Sequence, residues 1–333
     1  MNEMTHRMAA HCESGTVSTL LESGGLPLSE AMVFDLSGAV CFAYLESADL
    51  AFPTIAMRNQ PGTIWQNTQK VLGVDFHART FRSPEAGREA LDRLLDQGRR
   101  VTAQVDFFHM DYIPDYARAH FNAHFVTLLD RREGAYLVSD SYAPELTWLP
   151  ERSLELARFA RGRFAPKGLL LHLSGPVSPP DLRAAVREGI RGAATRMLSI
   201  PLPFLGVRGI RRFAAALKNW STLARSDDHF HHELMMVYVA IEERGTGGGG
   251  FRYLYATFLQ EAAALLDRPE LADIARAMME NGDRWRDISL LAARLGKRGG
   301  VTPERLGEMS DLILARAEVE GELFRRLAKS CAA

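Results

Sequence analysis

The sequence predicts an α+β protein that continues into a purely helical half, and the order of its patterns along 333 residues carries this prediction. Helical periodicity dominates the first hundred residues, and β-rich segments follow between 101 and 173. From 181 onward only helical periodicity is found. Helices followed by a group of antiparallel strands are typical of the α+β class, and this length is sufficient for two domains.

The first helices are defined by their start and stop signals. An apolar stripe at helical spacing predicts a helix over 12–22, which the glycines after it end. Ser83-Pro84 supplies a cap and a proline at the first helical position, so a second long helix is predicted from there to Gly98. Shorter helices are predicted over 30–34 and 64–72.

The strands are predicted from runs of β-branched and aromatic residues. A turn over 130–134 separates two of them and predicts a hairpin. The predicted strands cover 101–107, 124–129, 135–140 and 168–173.

A proline-rich stretch divides the chain. Pro176, Pro179 and Pro180 lie within seven residues, which is typical of a linker. We therefore predict an α+β domain over 1–175, a linker over 176–180 and a helical domain over 181–333. Apolar helices of the second domain could supply an interface between two copies of the chain.

Composition excludes several classes of protein. A formal net charge of −1 gives no general attraction to nucleic acid or to an anionic membrane. Three scattered cysteines form no disulfide framework, and no apolar run is long enough to cross a bilayer. Since we also find no secretory signal, we expect a cytoplasmic protein with no nucleic-acid or membrane partner.

One cysteine lies in the first turn of the first predicted helix. Free backbone N–H groups and the helix dipole favour negative charge there, so a thiol at Cys12 tends towards the nucleophilic thiolate. We predict Cys12 as a catalytic nucleophile, the alternative being a small core residue. Cys41, within an apolar stretch, is expected to be such a core residue.

A cysteine nucleophile needs a base and a group that orients the base. His124 begins one strand of the predicted hairpin and Asp140 ends the returning strand, so the two face each other across the ladder. The order Cys12, His124, Asp140, with the cysteine on an N-terminal helix and the others on a later sheet, resembles the arrangement of papain-like enzymes. The alternatives are a structural histidine and an aspartate that serves the turn.

The oxyanion hole is predicted only in part. The backbone N–H of Cys12 is one natural donor. Papain-like enzymes usually add a glutamine side chain a few residues upstream, where this chain has Thr5-His6-Arg7. His6 is therefore the candidate for the second donor.

Four residues are candidates for substrate contacts. Glu13 and Ser14 adjoin the nucleophile, although they could equally cap the helix. Phe108 and Tyr112 could line an acyl or amine pocket, the alternative being burial in the core.

No metal or cofactor is predicted. The cluster His229–Glu233 lacks the His-Glu-x-x-His spacing, so a helix start at the surface is favoured. The glycines of 245–250 could cradle a phosphate, but they lack the Lys-Ser/Thr ending, and a helix–helix turn or close packing is favoured. Basic residues in 161–167 and 208–212 could meet an acidic carrier protein, although such surface clusters are common.

Several segments carry a resemblance to a known family. They are His11-Cys12-Glu13-Ser14-Gly15, Phe34-Asp35-Leu36-Ser37-Gly38, Asn122-Ala123-His124-Phe125-Val126, Val138-Ser139-Asp140, Glu243–Tyr255 and Phe258-Leu259. On these motifs, residues 11–173 resemble the N-terminal domain of the butirosin biosynthesis protein H family. The second half resembles the helical domain that commonly follows it.

The resemblance implies a fold related to papain-like and bacteriocin-processing cysteine peptidases, and an acyltransferase of antibiotic or other secondary-metabolite biosynthesis. The family's namesake moves an aminoacyl group from an acyl-carrier-protein thioester to an amine of an aminoglycoside. By this resemblance we expect an acyl carrier protein bearing a phosphopantetheinyl thioester and a small-molecule amine as partners. Two alternatives remain at this stage: a cysteine hydrolase, either a peptidase or an amidase, and a non-catalytic binding module.

Overall fold

The structure is a computed structural model that describes residues 6–178, 180–297 and 301–331. Pro179 of the predicted linker lies outside the described residues, as do the ends of the two predicted domains, 1–5 and 332–333. Within the described ranges, no helix combines the length and the apolar character needed to span a membrane.

Helices account for most of the regular structure and strands for the rest. The helices are α1 Cys12–Ser23, α2 Glu30–Leu36, α3 Thr63–Leu72, α4 Pro84–Asp96, α5 Glu151–Arg158, α6 Leu182–Leu198, α7 Gly206–Leu217, α8 Trp220–Leu223, α9 Asp227–Tyr238, α10 Arg252–Leu266, α11 Pro269–Gly296 and α12 Pro303–Ser330. The strands are β1 Val40–Leu45, β2 Thr54–Arg58, β3 Phe76–Arg79, β4 Val101–Val105, β5 His124–Arg132, β6 Ala135–Ser139, β7 Thr147–Pro150 and β8 Leu170–Leu173. The α+β class predicted from the sequence is confirmed.

The chain forms two compact units. The first contains the described residues of Met1–Val33 and Pro61–Asp181, and the second those of Phe34–Gln60 and Leu182–Ala333. The units are thus not contiguous in sequence, unlike the expected domains 1–175 and 181–333. The physical reason is that strand β1 bonds within the second unit, where the Tyr44 N–H donates to the Phe204 carbonyl at 2.9 Å.

The first unit contains a six-stranded antiparallel sheet in the order β3-β8-β4-β5-β6-β7. Its core is apolar and lies between the inner strands and helices α4 and α5, with Leu91, Val126, Leu128 and Leu154 almost fully buried. Edge strands β3 and β7 were not predicted, because each buries only one side chain and so gives a weak apolar pattern. In β3, for example, only Phe76 is buried.

The predicted hairpin forms, but its turn is shorter than expected. Strand β5 continues to Arg132, and a two-residue turn at Glu133-Gly134 leads into β6. Gly134 adopts a φ of 71°, a conformation that favours glycine. A register shift between Leu128 and Asp130 then sets Thr127 opposite Ser139.

The glycine-rich segment serves close packing in the second unit. A Cβ at Gly249 would lie 2.9 Å from the carbonyl oxygen of Gly282 on α11, and one at Gly250 would overlap the Met57 side chain. Both glycines also have positive φ. These contacts favour close packing over a phosphate cradle.

Candidate active site

Cys12 occupies the first position of α1. The first N–H groups of an α-helix have no carbonyl partner within the helix itself. His11 caps this end and accepts the Ser14 N–H on its Nδ1 at 3.3 Å. Glu30 holds the cap in turn, because its Oε1 accepts the His11 N–H at 2.6 Å. The thiol is half-buried, with Sγ 3.9 Å from the carbonyl oxygen of Ala123.

A glycine one turn after the cysteine allows the preceding segment to fold back. A Cβ at Gly15 would lie 2.5 Å from Cβ of Ala9 and 3.7 Å from Cβ of Ser141. The Ala9 N–H also bonds to the Ser141 carbonyl at 3.4 Å. The glycine therefore lets residues on both sides of Cys12 pack against the loop that follows β6.

His124 and Asp140 meet beside this helix terminus. His124 is the first residue of β5 and pairs with Val105, while Asp140 directly follows β6. Since Ser139 pairs with Thr127, the Asp140 carboxylate reaches His124 diagonally rather than directly across the ladder. Nε2 of His124 lies 2.8 Å from Oδ2 of Asp140, and both side chains are almost completely buried.

The pKa of His124 is raised and that of Asp140 is lowered, and both shifts stabilise the charged forms of the pair. Burial alone would lower the pKa of the His124 imidazole, but the charge and hydrogen bond of Asp140 outweigh it, with Cys12 adding to the effect, and raise the pKa to about 10. Burial would raise the pKa of the Asp140 carboxyl, but the imidazole and two further hydrogen bonds hold it below its usual value. The carboxylate therefore stabilises the imidazolium form that His124 takes when it accepts a proton.

Tyr112 is a fourth member of this network. Its hydroxyl donates to Oδ2 of Asp140 at 2.6 Å, the same oxygen that binds His124. Burial and the neighbouring Asp140 charge raise the Tyr112 pKa well above its ordinary value, so the hydroxyl remains a donor. A substrate contact by the partly exposed Tyr112 ring stays a prediction, and its hydroxyl makes a hydrogen bond to the aspartate that was not predicted. Sequence spacing gave no signal for this contact, which spans the loop before β5.

Both ring nitrogens of His6 are engaged by other groups of the protein. Its Nδ1 is 2.8 Å from the Ser139 hydroxyl and its Nε2 is 2.8 Å from the Ala143 carbonyl oxygen. Because Nε2 must donate to that carbonyl, neither nitrogen is free for a substrate. The sequence-based expectation for His6 is therefore corrected: the ring ties the N-terminal segment to the end of β6.

Glu13 and Ser14 point into the protein rather than towards a substrate, and both are fully buried. Glu13 accepts the Gly62 N–H at 2.9 Å and the Ile64 N–H at 2.8 Å, so its carboxylate caps the start of α3. The Ser14 hydroxyl donates to Glu30 at 3.1 Å. Their expected substrate contacts are corrected to structural roles. The Glu13 carboxylate binds the start of α3, the Ser14 hydroxyl binds Glu30, and neither side chain is exposed to a substrate.

Two family models match the chain. The model described as "Butirosin biosynthesis protein H, N-terminal" matches residues 11–141. The model described as "Domain of unknown function (DUF4872)" matches residues 152–327, which is more than half of the chain. The chain belongs to the family that joins these two domains. The resemblance stated from the sequence motifs is confirmed, and the first matched range includes Cys12, His124 and Asp140.

One solved structure is similar in part. It is a proposed C39-like peptidase from Bacillus anthracis, 12% identical, with a TM-score of 0.36 over 53% of this chain and 94% of its own. A likeness at this score carries nothing further for fold or function. No curated protein matches the chain.

Aromatic rings adjoin the histidine of this family member. Phe107 packs edge-on against His124 at 5.0 Å between ring centroids and against Tyr142 at 5.4 Å. Tyr142 and Phe108 are partly exposed, and Phe108 stacks on His120 at 4.2 Å. A substrate contact by Phe108 stays a prediction.

The histidine cluster of α9 agrees with a helix start. Ser226 caps the helix by accepting the His229 N–H at 3.2 Å, and Nε2 of His229 lies 3.2 Å from Glu233 one turn later.

Proposed function

We propose that the protein is a cysteine acyltransferase, which takes an acyl group from a thioester onto Cys12 and passes it to an amine. One observation carries the proposal. The His124 ring bonds Asp140 through Nε2 at 2.8 Å, and Sγ of Cys12 lies 3.9 Å from the carbonyl oxygen of Ala123, the residue before His124. Since Nε2 is taken, Nδ1 is the nitrogen that can exchange a proton with Cys12. Family membership supports a role in the biosynthesis of a natural product.

The first half-reaction is thiol exchange. His124 takes the Cys12 proton, and the thiolate attacks the carbonyl carbon of the thioester. As the new carbon–sulfur bond forms, the old one breaks, and the leaving thiolate recovers the proton from His124. The Cys12 N–H at the helix terminus would stabilise the negative oxygen of the tetrahedral intermediate.

The second half-reaction forms the amide. An amine attacks the acyl-Cys12 carbonyl, His124 accepts the proton of the amine, and Cys12 leaves as a thiolate. Asp140 keeps the imidazole in the required orientation and stabilises its charged form in both halves. A thioester already carries the energy needed for amide formation, so the proposed reaction uses neither ATP nor a resident cofactor.

A basic loop near the site supports a carrier protein as the acyl donor. Arg161, Arg163 and Lys167 are exposed on the segment between α5 and β8. Asn122, two residues before His124, donates to the carbonyl oxygens of Arg161 and Arg163, both at 3.0 Å. Positive side chains held there would complement an acidic carrier protein and the phosphodiester of its pantetheine arm.

The carrier interaction is tested with two donors of the same acyl group, a loaded carrier protein and free acyl-pantetheine. In the double variant Arg161→Glu/Arg163→Glu we expect KM for the carrier to rise roughly tenfold, with kcat/KM for acyl-pantetheine unchanged. Arg276→Glu/Arg284→Glu, which reverses two exposed arginines of α11, is the matched control. Equal effects on both donors, or equal effects of the control, would contradict docking at this loop.

Transfer and hydrolysis are separated by the products. Acyl-pantetheine is mixed with the protein in the presence and absence of a primary amine, and amide and free acid are quantified. The proposal expects amide when the amine is present, little free acid, and no product from Cys12→Ala, with Cys331→Ala as the matched control. Free acid at an equal rate with and without amine would identify a hydrolase, and no turnover of any acyl donor would favour a binding module.

Thiol labelling tests the nucleophile independently of the substrate. Burial raises the pKa of Cys41 to about 11 and also raises the pKa of Cys331. At pH 7 a thiol such as Cys41 is ionised in only about one molecule in 10⁴. Iodoacetamide should therefore label Cys12 first, and equal labelling of the three cysteines would count against a catalytic Cys12.

A further inference from the structure

Three side chains with metal-binding atoms converge beside the loop that precedes β5. Oδ2 of Asp106 lies 2.7 Å from Nδ1 of His120 and 3.8 Å from Nε2 of His109. All three atoms lie within 4.8 Å of one another. The sequence predicted no metal site, because 14 positions separate Asp106 from His120.

The local fold accounts for the convergence. Residues Phe107–His109 form a 3₁₀ turn, in which positions three apart share one face, so His109 returns to Asp106. The other end of the loop is held by the Phe107 N–H, which donates to the Phe121 carbonyl at 3.1 Å. Pairing of β4 with β5 therefore delivers His120 to the same point.

The carboxylate is already positioned for a ligand. Asp106 is buried, with 1% of its surface exposed. Its Oδ1 accepts the Phe121 N–H at 2.8 Å and the Phe108 N–H at 3.3 Å, which aims Oδ2 at the two imidazoles. Hydrogen bonds of this kind orient a carboxylate that binds a metal.

We propose that Asp106, His109 and His120 form a binding site for a divalent transition-metal cation, with Zn²⁺ as the preferred ion. Two imidazole nitrogens and one carboxylate oxygen match the ligands of zinc sites that have three protein ligands. Tetrahedral bonds of about 2.0–2.1 Å require ligand atoms roughly 3.4 Å apart, and the two distances to Oδ2 lie on either side of this value.

The exposure of the two histidine rings allows the distances between the ligand atoms to adjust to those of a metal site. The His120 side chain is 69% exposed and the His109 side chain 25% exposed, so both rings can move by a few tenths of an ångström. The same exposure leaves the remaining coordination positions to water or to a ligand from solution. The cation would join the two ends of the loop and hold Phe107, which packs against His124.

The site is tested by titrating the protein with ZnCl₂ in a calorimeter and with CoCl₂ in an absorption spectrometer. The titrations are repeated in Cys12→Ala, because a thiol beside an imidazole can also bind zinc. We expect one equivalent bound in both proteins, with the visible bands of low-symmetry Co²⁺. In the double variant His109→Ala/His120→Ala we expect an affinity lower by on the order of a hundredfold.

Matched variants keep the test independent of folding. His77→Ala alters another close pair of imidazoles, because the ring centroids of His77 and His172 lie 5.1 Å apart. This variant should bind the cation as the unaltered protein does. The unfolding midpoint of each variant is measured without metal and with it, and only proteins that retain the site should gain stability from ZnCl₂. Binding that persists in His109→Ala/His120→Ala, or disappears in Cys12→Ala, would overturn the proposal, as would a protein that binds no Zn²⁺ at all.

Discussion

Replacing Asp140 by asparagine isolates the part played by the carboxylate. Its Oδ2 accepts from His124 at 2.8 Å and from Tyr112 at 2.6 Å, while Oδ1 accepts the Tyr142 N–H at 3.0 Å. An amide nitrogen cannot face the Tyr142 N–H, since both are donors, so it must take the position of Oδ2. Nε2 of His124 then becomes an acceptor, and the proton moves to Nδ1, the nitrogen needed to deprotonate Cys12.

The expected size of the rate loss in Asp140→Asn follows from the pKa of the His124 imidazole. Its pKa stands at about 10 against a usual 6.5, a difference of about 3.5, and Asp140 is the largest cause that raises it. One pKa unit is about 1.4 kcal/mol, so the imidazolium is favoured by roughly 5 kcal/mol, most of it from the carboxylate. We expect acylation of Cys12 in Asp140→Asn to slow by on the order of 10³-fold.

The assay is the single-turnover rate of acylation from acyl-pantetheine, followed by rapid quenching and mass spectrometry. Asp130→Asn, the same change at an exposed position of β5, is the control. A rate in Asp140→Asn within threefold of the unaltered protein would refute the role given to the carboxylate.

The same shift predicts a pH dependence of stability. The folded protein binds a proton on His124 more tightly than the unfolded chain does, so this stabilisation is fully present below about pH 6.5. It is lost as the pH rises towards 10. In urea unfolding across this window, the decline in the free energy of unfolding should be smaller in Asp140→Asn, and parallel curves for the two proteins would contradict the shift.

Three further substitutions test one hydrogen bond of the candidate site, one helix cap and one buried ion pair. Tyr112→Phe removes a hydrogen-bond donor that lowers the Asp140 pKa. Acylation should therefore slow roughly tenfold, and the acidic limb of its pH profile should move to higher pH. If Tyr112 were purely structural, only the unfolding midpoint would change. Glu13→Gln places an amide against N–H donors of α3 and should cost about 1–3 kcal/mol in urea unfolding, a loss below about 0.5 kcal/mol arguing against the cap. Arg252→Met leaves the buried carboxylate of Glu320 without its cation and should cost about 3–5 kcal/mol, while unchanged stability would show that the buried pair is dispensable.

Much of the fold could be predicted because its central elements carry strong patterns. The largely apolar segment that opens β5 is buried from His124 to Leu129, and the Ser83-Pro84 start of α4 is found where the capping rules put it. Elements that depend on partners far away in sequence gave weaker signals. Strand β3 is an edge with one buried side chain, and residues 34–60 join the second unit through contacts that no local pattern encodes.

The residues of the candidate site also fall into a group that local patterns predict and a group that they do not. Cys12, His124 and Asp140 could be proposed because each stands at the end of a predictable element. The hydrogen bonds of His6 and Tyr112 could not be predicted, because they run to Ser139 and Asp140 across more than twenty-five residues. A contact of that kind is decided by how the loops fold onto the sheet and not by spacing along the chain.

The proposed acyl-Cys12 intermediate is tested most directly by locating the acyl group during turnover. The protein is mixed with acyl-pantetheine, quenched in acid within milliseconds, digested and mapped by mass spectrometry. We expect one acyl group on the peptide that contains Cys12, its release as amide when an amine is added, and its absence from His124→Ala. Product that forms with no acyl group on Cys12, or an acyl group on another residue that is passed to the amine, would contradict the proposed intermediate.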